Sequence, residues 1–452
     1  MDDVPFVVGT ATYQNLTIVH PLGVFTVIVA GLSVLFLQRR WAPLPVIAIA
    51  CFVSLAQRIV IAGLDFDFLR IVILFGIARI ALRSEYRGFV WKPIDKAVLL
   101  CTISLSFFHV VHYATFSAVV NRLGVSLNIL GTYFLFRCWI RTWTDLDRVI
   151  LGCILISIPE AVFFVIENQT GRNWFSIFGG VNEFTEIRQG RLRCQGPFTH
   201  PILAGCFWSS IIPLAASRWW KPAFGAKIMA LIGVITSVTV VICSASSTPV
   251  LGSLAAIIGA GFFFLRRYMR AVRWALLFTL IGLHIVMQGP VWHLIARVSA
   301  VGGSTGWHRY NLINQTIINF RQWWFSGVSV HVIESWGVWA GDVTNHYIAI
   351  AVDGGVVTLI LFIAILTFAF GAVGKTWRSQ ARKPYRLALS WALGVSLFVH
   401  CTNFIGITYF GQTFVILYLV LAMIGSMSVA ATRASKRTAS VLAKQPAPSF
   451  ST

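Results

Sequence analysis

Apolar runs long enough to cross a lipid bilayer recur along the whole chain, and no other feature narrows its fold so far. A spanning helix needs roughly 20 mostly apolar residues, and by that measure about thirteen runs qualify. The first lies near Ile18 to Leu37 and the last near Thr408 to Ala430. The others begin near Pro43, Phe66, Ile94, Val119, Leu146, Thr199, Ala226, Ser247, Trp274, Tyr347 and Arg386. With 57% hydrophobic and 11% charged residues, the 452-residue chain has more apolar surface than a soluble domain could bury. The expected fold class is all-α, a polytopic transmembrane helical protein with about 12–13 spans. Residues 1–430 are expected to form a single transmembrane domain, with long outer loops at about 168–198 and 291–346. The tail 431–452, rich in Ala, Ser, Lys and Pro, is expected to be a disordered cytoplasmic segment.

A net charge of +21 raises nucleic acid as a partner, but the placement of the cations argues for topology instead. If the N-terminus, with Asp2 and Asp3, lies outside, alternate loops hold Arg39/Arg40, Arg83/Arg87/Lys92/Lys96, Arg137/Arg141/Arg148, Arg218/Lys221/Lys227, Arg266/Arg267/Arg270/Arg273 and Lys375/Arg378/Arg382/Lys383. With the tail cations, about 25 of the 36 Lys and Arg fall on one side, as the positive-inside rule requires. The segment before Ile18 is acidic and polar, unlike a cleavable signal peptide. The eight cysteines are scattered, mostly within spans. Only Cys194 sits clearly in an outer loop, and no Cys or His spacing suits zinc.

The cations left on the outer side are Arg122, Arg172, Arg188, Arg191, Arg193, Arg297, Arg309 and Arg321, with no lysine among them. A guanidinium is a planar, permanently charged fork suited to phosphate or carboxylate, so an outward anion site is expected. Headgroup contacts, or pairing with Glu167, Glu183, Glu186, Glu334 and Asp342, are the alternative. Three further arginines fall inside spans, where charge is costly and usually functional. Arg58 is expected near the outer end of the second span and Arg70 near the outer start of the third. Both are placed to reach an outer phosphate, unless Asp65 or Asp67 pairs with them. Arg79, deeper, is expected to snorkel to the headgroups.

The first loop ends Arg188-Gln-Gly-Arg191-Leu-Arg193-Cys-Gln-Gly-Pro-Phe-Thr199-His-Pro201, a basic run that reopens as a helix. Thr199 and Pro201 suit a helix start, whose free amides would join Arg191 and Arg193 in holding an anion. In the second loop, Arg309 precedes a helical stripe of Leu312, Ile313, Thr316, Ile317 and Phe320, opposite Asn311, Gln315 and Asn319. It reads as a helix lying on the membrane. Trp323, Trp324, Trp336 and Trp339 follow, either interface anchors or sugar-stacking rings. The loop closes at Asn345-His346-Tyr347, the mouth of the next span. His346, with an ordinary pKa of about 6.5, is suited to accept a proton from a hydroxyl; His200, His293, His308 and His331 are the other outer candidates.

These motifs, Arg193-Cys-Gln-Gly-Pro-Phe-Thr-His-Pro, Arg309 with the later Trp-Trp-Phe-Ser-Gly-Val stretch, and Thr-Asn-His346-Tyr followed by Gly354-Gly355, resemble the O-antigen ligase and polymerase superfamily over roughly residues 160–375. The resemblance implies a GT-C-like membrane glycosyltransferase of a bacterial inner membrane. Such an enzyme takes a glycan from undecaprenyl diphosphate and transfers it, on the periplasmic face, to a sugar hydroxyl of another glycan or of lipid A core. It uses no cofactor and no metal, and its partners are these glycolipids and membrane lipids, not nucleic acid. Carried over by motif, His346, Arg309 and Arg193 are the catalytic candidates. Arg191, Arg70 and Arg58 are the expected diphosphate contacts. Asn345 precedes His346 where the family often has Asn after His, and Ser247-Thr248-Pro249 stands in place of its Ser-Arg-Gly. Its Gly-x-Gly becomes Gly327-Val328-Ser329. Polymerase and ligase are not separated. A transporter of lipid-linked glycans would instead need charges along a central path, and a non-catalytic partner of a polysaccharide export system is the third reading.

Overall fold

Each of the apolar runs contains a helix in the computed structural model, which describes residues 16–297, 306–337 and 340–442. In chain order the helices are α1 (Pro21–Phe36), α2 (Pro43–Phe52), α3 (Phe68–Leu82), α4 (Pro93–Tyr113), α5 (Phe116–Ser126), α6 (Thr132–Trp139), α7 (Trp143–Thr170), α8 (Pro201–Ser217), α9 (Phe224–Cys243), α10 (Ser247–Gly261), α11 (Met269–Val286), α12 (Leu294–Arg297), α13 (Gly306–Ile318), α14 (Phe320–Trp323), α15 (Val330–Glu334), α16 (His346–Ser379), α17 (Pro384–Asn403) and α18 (Thr413–Leu442). A π-helical turn at Leu127–Gly131 joins α5 to α6. Seven helices or joined helices, counted among the described residues, are long and apolar enough to cross a membrane. α1 and α10 are apolar but shorter.

Three stretches depart from the expectation. Arg58 lies outside any span: α2 ends after ten residues, about 15 Å at 1.5 Å per residue, and the chain turns back as an antiparallel hairpin. Its strands β1 (Arg58–Ile61) and β2 (Leu64–Asp67) pair Arg58 with Asp67. The turn places Ala62 and Gly63 at φ 51° and 77°, the double left-handed geometry of tight hairpins. Arg79 does not snorkel. It is buried, paired with Glu85 at 2.8 Å and donating to the carbonyls of Val34 and Leu37. It thus satisfies the negative C-terminal end of α1. Finally, α18 continues as helix through Leu442 into the stretch expected to be disordered. Asp2, Asp3, Trp339, the side chains of Arg297 and Lys436, and the tail from 443 lie outside the described residues.

The second loop folds on its own small core. Leu312, Trp323, Ile333 and Trp336 pack with Val343, Ile348 and Val352. The Trp323 indole donates to Thr316 O at 2.7 Å, and the Trp336 indole to Gln322 Oε1 at 2.9 Å. These two tryptophans are therefore core residues, whereas Trp324 is exposed. The core docks on α16 where that helix breaks: Gly355 has φ 71° and ψ −178°. The amides on either side of the break exchange bonds with the loop, Val328 N–H to Val352 O at 2.6 Å and Val356 N–H to Trp324 O at 2.8 Å. A Cβ on Gly355 would lie 2.3 Å from Phe325 O.

Gly355→Ala combines that collision with a disfavoured backbone conformation, a cost of about 1–3 kcal/mol. The variant is expected to melt at lower temperature in tryptophan-fluorescence unfolding of the detergent-solubilised protein. Gly371→Ala, with open space around its Cα, is expected to leave the midpoint unchanged.

Candidate functional site

The first loop is clamped to the end of α7 by a carboxylate. Both Glu167 oxygens accept from backbone amides, Gln195 N–H at 3.1 Å and Gly196 N–H at 2.9 Å, and Thr185 Oγ1 donates at 3.1 Å. Above the clamp, strands β3 (Glu186–Arg188) and β4 (Arg191–Arg193) pair antiparallel through a Gln189-Gly190 turn with both residues at positive φ. The register sets Glu186 opposite Arg193, and the two form an ion pair at 3.0 Å. At the strand's end Cys194, buried rather than exposed, donates its N–H to Cys243 O at 3.0 Å. That bond locks Arg193 to the corner between α9 and α10.

Two arginines converge on this corner. Arg193 Nη2 donates to Ser246 Oγ at 3.3 Å, and Arg309 Nη2 donates to Thr248 Oγ1 at 3.0 Å. Ser246 is the N-cap residue of α10, yet its hydroxyl donates to Ser244 O and makes no capping bond. The positive end of the α10 dipole therefore lies beside two guanidinium groups. Arg309 arrives on the buried face of α13, which runs Gly306, Arg309, Leu312, Thr316, while Ile317 and Phe320 are exposed. Burial draws the pKa of both arginines below the ordinary value, and the charge of Arg188 adds to the effect at each. Both remain cations at neutral pH, since arginine starts far above it.

Arg309 differs from the other buried arginines. Arg58, Arg79, Arg137, Arg193 and Arg218 each face a carboxylate. Arg309, 8% exposed, meets no carboxylate and only the Thr248 hydroxyl among the described residues; its Nε is buried without a partner, as are those of Arg58 and Arg218. An uncompensated buried cation of this kind is an open seat for an anion.

His346 is the first residue of α16, behind an Asn345 cap that accepts from Tyr347 and Ile348 amides. Its own N–H donates to Phe404 O at 2.8 Å, and its Nδ1 accepts from Tyr409 N–H at 3.3 Å. The ring packs against those of Phe404, Tyr409 and Phe362. Residues 404–412, between α17 and α18, thus form a crosspiece. On its other side Gly406 lies against Thr248, Gly411 against Thr199, and Gln412 Nε2 donates to Pro197 O at 2.8 Å. Among the described residues no contact joins His346 to Arg193 or Arg309; the crosspiece touches the surroundings of all three.

The other sequence candidates divide. Arg191 is exposed at the start of β4, and Arg188 stands opposite it. Arg58 pairs with Asp65 at 2.6 Å and donates to Leu55 O, while Arg70 pairs with Asp67 at 3.5 Å and donates to Asn128 Oδ1 and Asp65 O. Both are therefore occupied by the hairpin and its surroundings. Arg122, expected in an outer loop, is in α5 and paired with Asp353 of α16. The sequence points to an open helix start at Thr199 to Pro201. There the His200 ring itself caps α8, accepting from Ile202 N–H at 3.1 Å; the uncapped start is at Ser246. The Ser-Ala-Ser-Ser-Thr-Pro stretch between two apolar runs carried that signal as a helix start with proline in its first turn. No protein-family model and no curated protein matches the chain.

His200 tests the electrostatics of this end of the bundle. Burial, then the charges of Arg193 and Arg188, push its pKa down from 6.5 to about 4. The neutral ring is thus favoured in the fold. The unfolded chain gains its proton first as pH falls below about 6.5, so the stability contributed is full above that value and lost toward pH 4. His200→Asn keeps an acceptor for the cap and removes the titration. Its melting midpoint is expected to fall less than that of the parent protein between pH 7 and pH 4.5.

Proposed function

We propose that the chain is a GT-C-like membrane glycosyltransferase of a bacterial inner membrane, working on the periplasmic face. In this reading it moves a glycan from undecaprenyl diphosphate to a sugar hydroxyl, as a polysaccharide polymerase or an O-antigen ligase. The observation that carries the reading is Arg309, a buried guanidinium with no carboxylate partner among the described residues. It stands beside Arg193 at the uncapped start of α10. Arginine forks beside the positive end of a helix dipole are suited to a diphosphate. They would stabilise it as charge builds on the leaving oxygen.

The chemistry is a single displacement. The acceptor oxygen bonds to the anomeric carbon, the bond from that carbon to the phosphate oxygen breaks, and the diphosphate leaves as the anion with inversion. The hydroxyl proton goes to His346. With Nδ1 accepting from the Tyr409 amide, the resting neutral ring carries its proton on Nε2. Freeing the Nε2 lone pair moves that proton to Nδ1 and leaves the buried Tyr409 N–H without its acceptor, a cost of about 1–3 kcal/mol. General-base catalysis contributes about 10²–10⁴-fold, which outweighs that cost.

Arg309→Ala is expected to slow transfer from an undecaprenyl-diphosphate-linked glycan by about 10²–10³-fold, the usual loss for a transition-state donor. Arg309→Lys is not expected to restore it, because a point charge does not reproduce the fork. His346→Ala should lose about 10²–10⁴-fold. All three should still insert in membranes and elute as folded protein. Normal turnover in both alanine variants, measured by glycan product from purified protein, sinks the reading. Arg70→Ala is expected to act more mildly, through the hairpin it supports.

A further inference from the structure

His346 also lines a cavity whose wall includes neither Arg193 nor Arg309. The space lies between α4, α5, α16 and α18 beneath the second loop and measures about 300 Å³, the lower end of the range for small-molecule sites of about 300–1,000 Å³. The two opposite charges facing it, Arg122 and Asp353, neutralise each other. Arg122 donates to Asp353 Oδ2, and His109 Nδ1 lies 2.8 Å from Oδ1.

What remains available is uncharged. Asn121 lines the cavity and makes no hydrogen bond among the described residues, and Asn128 beside it is engaged only through Oδ1, by Arg70. Tyr113, Tyr409 and Tyr418 supply aromatic surface. Amide groups serve the donors and acceptors of sugar hydroxyls, and tyrosine rings cover the apolar faces of the same rings. A diphosphate entering here would lose its hydration and meet no net positive charge, a costly exchange.

We infer that this cavity is the acceptor subsite, taking one neutral sugar residue of the acceptor glycan and presenting its hydroxyl to His346, with Asn121 as a residue that determines which sugar is accepted. The lipid diphosphate stays on the arginine side of the crosspiece. Calling the ligand an acceptor rests on the glycosyl-transfer reading; its neutral, hydroxylated character rests on the cavity alone.

The test uses the full chain in lipid nanodiscs with Asn121→Cys, labelled by a methanethiosulfonate reagent against the parent chain as background. The probes are a set of neutral disaccharides and undecaprenyl diphosphate. At about ten times its Kd, a bound disaccharide is expected to slow labelling about tenfold, and undecaprenyl diphosphate to leave the rate unchanged. Protection by undecaprenyl diphosphate, or by none of the disaccharides, overturns the inference. In the transfer assay Asn121→Leu should raise KM for the acceptor and leave KM for the donor unaltered; the reverse pattern also overturns it. Disaccharide protection in a protein that transfers no glycan would uphold the cavity's ligand and defeat the glycosyl-transfer reading instead.

Discussion

The break in α16 is the constraint on which the arrangement of the site depends. A helix in an apolar medium can open only where the backbone groups it releases find other partners. Here they find them in Trp324 and Val328, residues of the second loop. The exchange ties the loop that carries Arg309 to the helix that begins with His346. It requires close approach of two backbones, which is why glycine stands on both sides: a Cβ at Gly327 would lie 2.4 Å from Val352 O. Two residues before the break, Asp353 reaches Arg122 and His109, and His112 Nε2 lies 2.7 Å from Ser326 O. The end of α4 thus grips loop and helix together.

The first loop is fastened by different means to the same result. Glu167 spends its carboxylate on the amides of Gln195 and Gly196, so the turn after Arg193 is held by charge-assisted bonds, stronger than neutral ones. Cys194 then fixes the strand to the α9–α10 corner through backbone alone. Each arginine therefore reaches the corner from an element anchored elsewhere, one by a carboxylate and one by a helix break. Neither depends on the other for its position, and a ligand bridging them would meet a preorganised pair.

How much of this was legible in the sequence follows the range of the interactions. The helices were readable because hydropathy is a local property, and runs beginning near Ile94, Leu146 and Ser247 fall within a few residues of α4, α7 and α10. The β1–β2 hairpin was not, because Ile59-Val60-Ile61 is as apolar as a span and the Ala-Gly turn beside it is a weak marker. Arg193, Arg309 and His346 stood out by residue type in long loops. Their surroundings did not, since Thr248 lies 61 residues from Arg309 and Asp353 lies 231 from Arg122. The tryptophans misled for a related reason: an aromatic-rich loop between spans looks the same whether its rings face lipid or, as Trp323 and Trp336 do, each other's neighbours.

The unpaired charge of Arg309 also sets a balance between stability and ligand. Removing the partner of a buried ion typically destabilises by about 3–5 kcal/mol, and Arg309 meets no carboxylate among the described residues. At Arg137, where Asp95 supplies two hydrogen bonds at 2.7 and 2.9 Å, the cation is fully compensated and has only a structural part. At Arg309 the compensation is left to whatever binds. An anion that completes the site recovers stabilisation the fold has not used, so the empty protein should be the less stable form and the bound one the more rigid. The second loop, held by its own core and by the break in α16, is the element through which that difference would be felt.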